Sequence, residues 1–100
     1  MTEEAVLDIL RKVIDPEIGV NVVDLGLVYG VNIEGNRLQV DMTMTTAACP
    51  LGAYIVDQAE MLLRQFFPDA EEVTVNLVWS PPWSPEMMSD AARQQLGWMS

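Results

Sequence analysis

Leu27-Val28-Tyr29-Gly30-Val31-Asn32-Ile33-Glu34-Gly35-Asn36-Arg37-Leu38-Gln39-Val40-Asp41-Met42-Thr43-Met44-Thr45 is the stretch on which the fold turns. Leu27, Tyr29, Val31 and Ile33 alternate with Val28, Gly30 and Asn32, and Leu38, Val40, Met42 and Met44 alternate with Gln39, Asp41, Thr43 and Thr45. A period of two is that of a strand with one face buried. Glu34-Gly35-Asn36-Arg37 between the runs is turn chemistry, so the two strands are expected to form an antiparallel hairpin.

Downstream, a helix is predicted from about Pro50 to Phe67, with Leu51, Ile55, Ala59, Leu62 and Phe66 along one stripe. Pro50 suits a first helical turn, where its missing N–H costs nothing, and Pro68 marks the stop. Val73, Val75, Leu77 and Trp79 then alternate with Thr74, Asn76 and Val78, giving a third strand. After Ser80-Pro81-Pro82-Trp83, the run Ser84-Pro85-Glu86 reads as N-cap and first turn of a last helix ending near Gly97.

Upstream, Val6, Ile9, Leu10, Val13 and Ile14 recur at helical spacing, predicting a helix over 3–14 with Thr2 as N-cap and Asp15-Pro16 as terminator. Residues 17–27 read as an ordered loop. The order α-β-β-α-β-α predicts an α/β (α+β) two-layer sandwich, with a three-stranded mixed sheet and helices packed on one face. A right-handed crossover joins its second and third strands. One hundred residues suit a single domain spanning 1–100.

Half the residues are apolar, as in a packed globule. Five basic residues stand against fifteen acidic ones for a net charge of −10, shared by both halves of the chain. With no basic stripe to neutralise phosphates, nucleic acid is not an expected partner. No stretch approaches the roughly 20 apolar residues that cross a bilayer, so no membrane is expected. Met1-Thr2-Glu3-Glu4 lacks the features of a secretion signal, and a lone cysteine fits a reducing compartment. The expected location is cytoplasmic. The absence of histidine removes Ser–His and Cys–His catalytic pairs and the usual zinc ligand sets.

Cys49 stands where the second strand hands over to the second helix. A thiol there meets the positive end of a helix dipole, which favours the thiolate that attacks electrophiles and binds metals. It reads equally well as a small apolar cap residue. An iron–sulfur cluster usually takes four thiolates; this chain has one, and a homodimer would have two. Any cluster here must borrow ligands and be labile.

Asp15, Glu17 and Asp24 form an acidic group that could approach Cys49 or bond their own loop. Thr45 and Thr46 could bond a sulfur or cap the helix. Trp79-Ser80-Pro81-Pro82-Trp83 is either a contact surface for a partner chain or the lid of the core.

Three runs in order resemble the SufT/PaaD-like metal–sulfur cluster assembly proteins. They are Asp15-Pro16-Glu17-Ile18-Gly19 with Asn21 to Tyr29; Met42 to Leu51, a threonine-rich approach to Cys49-Pro50; and Val78-Trp79-Ser80-Pro81-Pro82-Trp83. The chain is similar to the minimal core domain. It lacks the extra C-terminal cysteines of the PaaD-like branch.

The resemblance implies an iron–sulfur cluster assembly or transfer factor, not an enzyme. Iron or a labile cluster would be bound transiently through Cys49, with Asp24, Thr45 and Thr46 around it. The partners would be iron–sulfur client or carrier proteins, met through Trp79, Pro81, Pro82 and Trp83. The competing reading is a metal-free adaptor that targets clients to the assembly machinery. A thiol enzyme ranks last, because its thiolate would lack the usual histidine base.

Overall fold

The hairpin forms where alternation puts it. In the computed structural model, which describes residues 2–16, 18–45 and 52–97, Val28–Glu34 is strand β1 and Arg37–Met42 is strand β2, paired antiparallel. Glu34 faces Arg37 across a two-residue turn. Gly35 takes that turn's first position at φ +58°, where a type II′ hairpin wants glycine. The register slips between Val28 and Gly30, leaving Tyr29 as the extra residue of a bulge.

Gly52–Phe66 forms helix α2 and Glu72–Leu77 forms strand β3, parallel to β2, with Leu38 opposite Val73 and Val40 opposite Val75. The mixed sheet therefore has the order β1-β2-β3. Leu38, Val40, Met42, Val73 and Val75 are buried, while Arg37, Gln39 and Glu72, which alternate with them, are exposed. One face is thus the core and the other meets water. On the core side lie α2, through Ile55, Ala59 and Leu63, and helix α1, Glu3–Leu10, through Val6, Ile9 and Leu10. The Thr2 hydroxyl accepts from Ala5 N at 3.1 Å, the predicted N-cap.

Several boundaries differ from expectation. The first helix ends at Leu10, not Ile14. Lys12 and Val13 donate to Ile9 and Leu10 in tight i→i−3 turns. Ile14 then bridges Asn21, with Val22 N donating to Val13 O and Asp15 N to Val20 O, each at 3.0 Å. Pro16 and left-handed Gly19 (φ +81°) fold the chain back into this small antiparallel closure, so Ile14 stays exposed while Val13 reaches the core. β2 ends at Met42 and β3 at Leu77, each short of the predicted run, although Thr43 N donates to Leu27 O and Val78 N to Met42 O.

The last helix is also shorter than the expected span from Ser84. Pro85–Met87 is a 3₁₀ turn, Met88 is extended (ψ 148°), and helix α3 runs from Asp90 to Leu96. The cap is Ser89, whose hydroxyl accepts from Ala92 N at 3.2 Å. Extension at Met88 lets its side chain enter the core, an apolar gain that outweighs one unbroken helix.

Candidate functional site

Three elements of the chain meet at one end of the sheet. β2 and β3 run parallel and point their carboxyl ends there, and Gly52 starts α2 there, where a Cβ on it would sit in ordinary contact with Met44 Cγ at 3.5 Å and Leu77 Cδ2 at 3.8 Å. Beyond the carboxyl ends of parallel strands is where α/β sheets hold ligands. Thr43 and Met44 are buried at this end and Thr45 is half-buried. Thr45 and Gly52 are therefore the flanks of the Cys49 segment. Cys49, Thr46 and Glu17, with the expected helical start at Pro50, lie outside the described residues.

Asp24 sits half-buried in the loop before β1. Its Oδ2 accepts from Asn21 Nδ2 at 2.7 Å, its backbone N donates to Asn21 Oδ1 at 2.9 Å, and its carbonyl accepts from Ser89 N at 2.8 Å. This carboxylate holds its own loop, one of the two roles expected of it. Asp15 is 3% exposed, and its carbonyl accepts from Ile18 N and Gly19 N. Among the described residues, no group of three His, Cys, Asp or Glu side chains converges to hold a metal ion.

The tryptophan–proline segment divides into two parts. Trp83 is half-buried against the core, and its Nε1 donates to Leu25 O at 2.7 Å. With the Ser89–Asp24 bond and the tight seat of Gly26 against the Met87 backbone, this makes a three-point clamp on the loop 21–27. Trp79, 46% exposed, and the exposed Pro81 and Pro82 face outward instead. Trp83 therefore takes the lid position, and Trp79, Pro81 and Pro82 are the exposed residues of the segment.

Tyr29 and Met87 carry features that the sequence did not mark. The Tyr29 hydroxyl donates to Pro81 O at 2.8 Å and lies 3.4 Å from Met87 Sδ, bridging β1 to the segment that follows β3. Nothing in the sequence marked this: the bulge at Tyr29 is a feature of the strand pairing, which alternation does not reveal. On the 3₁₀ turn, the Ser84 side chain and Glu86's own backbone N–H hold the Glu86 carboxyl below the usual carboxylate range.

Comparison with known proteins agrees with this architecture. The profile of the iron–sulfur cluster assembly protein family matches residues 3–77. The chain is 48% identical over 86 residues to the Fe-S protein maturation auxiliary factor SufT of Staphylococcus aureus, covering 85% of this chain and 97% of that protein. It is 40% identical to the Fe-S protein maturation auxiliary factor YitW of Bacillus subtilis, covering 95% and 93% of the two chains.

A solved structure of a domain of unknown function from Bacillus anthracis superposes with a TM-score of 0.91 at 44% identity, over 95% of this chain and 91% of that one. A family match over all three strands and helices α1 and α2, with relatives covered nearly end to end, makes this chain a member of the iron–sulfur cluster assembly protein family.

Proposed function

We propose that the chain is an iron–sulfur cluster assembly or transfer factor that handles iron or a cluster as transient cargo through Cys49. The observation that carries this reading is the family match over 3–77, which includes the threonine-rich run to Cys49. The convergence of Thr45 and Gly52 on the carboxyl end of β2 and β3 supports it. One thiolate falls short of the usual four, so the remaining ligands come from a second copy or from the client or carrier protein. An incomplete ligand set is what a donor needs, because the acceptor's thiolates can replace it stepwise.

Thr45 and Thr46 offer hydroxyls to sulfide or thiolate, and Asp24, braced by Asn21, keeps the adjoining loop in place. The chain then acts by holding and handing over, without catalysing a covalent reaction. Trp79, Pro81 and Pro82 supply the surface that meets the partner, with Trp83 bracing it from below.

A metal-free adaptor is the second reading, favoured by the exposure of Trp79 beside two exposed prolines. Anaerobic reconstitution with ferrous iron and sulfide separates the two, comparing the native chain with Cys49→Ser. Bound iron with a visible charge-transfer band, lost in Cys49→Ser, is expected. Equal spectra from both proteins, with no iron retained, would leave the adaptor.

A further inference from the structure

Val28, Tyr29, Val78, Pro81 and Met87 form a mostly apolar open groove of about 630 Å³, with a single carboxylate, Asp41, in its wall. That size falls within the roughly 300–1,000 Å³ of binding clefts. Its walls are braced: Tyr29 is bonded to Pro81 O at 2.8 Å, and Gly26 is pressed on the Met87 backbone. A wall that is ordered beforehand loses little entropy when filled.

Asp41 identifies the occupant. Its Oδ1 accepts from the neutral Asn76 Nδ2 at 3.3 Å. None of the chain's five Arg and Lys side chains pairs with Asp41. Arg11 pairs with Asp8, Arg37 with Glu71, and Arg64 with Glu60 and Val73 O; Arg93 donates to Glu86 O, and Lys12 lies over the Phe66 ring. An apolar groove with one acid that has no cation of its own is complementary to an apolar side chain next to a basic one. A second copy is a poor match, because each carries −10 and two such chains repel.

We propose that this groove docks a segment of a partner protein in which an apolar side chain packs against Val28, Val78 and Met87 and a neighbouring Arg or Lys pairs with Asp41. The inference rests on the reading that the chain works on partner proteins, and it does not depend on metal at Cys49.

The test is a titration of the ¹⁵N-labelled, iron-free chain, followed by amide shifts, with three synthetic peptides of equal length. One alternates Leu and Arg, one Leu and Glu, one Ser and Arg. The Leu–Arg peptide is expected to shift Val28, Asp41, Val78 and Met87 saturably, and the other two are not. Asp41→Asn and Met87→Gln should each weaken that peptide at least fivefold, while Asp69→Asn, on the loop between α2 and β3, changes it less than twofold. Cys49→Ser should leave it unchanged, so failure of metal binding and failure of docking are read separately. Equal affinity in native and Asp41→Asn chains would overturn the proposal. So would saturation elsewhere, the same saturation by the Ser–Arg peptide, or shifts of these amides with protein concentration alone, which would mean a second copy.

Discussion

Replacing Gly26 by alanine tests the clamp that holds the loop 21–27 to the segment 83–89. Gly26 lies at φ +77°, and a Cβ built there falls 2.3 Å from Met87 O and 2.7 Å from Met87 C, where ordinary contact begins near 3.4 Å. The obstacle is backbone, so it cannot yield by changing rotamer. A left-handed backbone costs an alanine about 1–2 kcal/mol, and forcing an extra methyl into a packed site adds about 1–3 kcal/mol. Gly35 and Gly19 also have positive φ, +58° and +81°, but a Cβ on either meets nothing within 4 Å. They pay the backbone cost without the clash, and the unfolded-state gain from Gly→Ala is the same at all three sites.

Gly26→Ala is therefore expected to be destabilised by about 1–3 kcal/mol more than Gly35→Ala or Gly19→Ala. In a domain of this size that lowers Tm by a further ~4 °C or more. Urea unfolding with two probes supplies the free energies and checks two-state behaviour. Amide exchange should quicken at Ser89, whose N–H is bonded to Asp24 O. If Gly26→Ala is no less stable than Gly35→Ala, the close approach of Gly26 to Met87 does not exist and the clamp fails with it.

Trp83→Phe removes the indole N–H from Leu25 O and leaves that carbonyl unpaired, costing about 1–2 kcal/mol in chemical unfolding. Trp79→Phe should stay within ~0.5 kcal/mol because the side chain is exposed. Ser89→Ala deletes the α3 cap and should cost about 1 kcal/mol by the same assay. Ser84→Ala should cost less, since Ser84 makes no side-chain cap bond. Glu86 should titrate below an ordinary glutamate by carboxyl ¹³C NMR, and Ser84→Ala should raise it. Because its folded value is depressed, its contribution is present above the unfolded value and is lost as pH falls through the folded one.

Period-two alternation over 27–45 and 73–79 was enough to read the hairpin and the third strand, since a half-buried strand must alternate; the buried face holds for Val73 and Val75, whereas Leu77 and Trp79 in the same phase are exposed. The parallel pairing of β2 with β3 followed from the helix between them. The last helix was misread because two serines, Ser84 and Ser89, each precede a good first turn. Local rules do not choose between them. The burial of Met88 and the bond from Ser89 N to Asp24 O, sixty-five residues upstream, do.

From the sequence alone came the fold class, the face that forms the core, and the cysteine at the strand-to-helix junction, because local periodicity and residue chemistry suffice for these. Only the tertiary structure separated Trp83 as brace from Trp79 as exposed surface, and only it put Tyr29, Asp41 and Met87 around one groove. Those relations join residues far apart in the chain, and no short-range pattern encodes a contact whose partners are set by how the sheet, the loop and the last helix pack together.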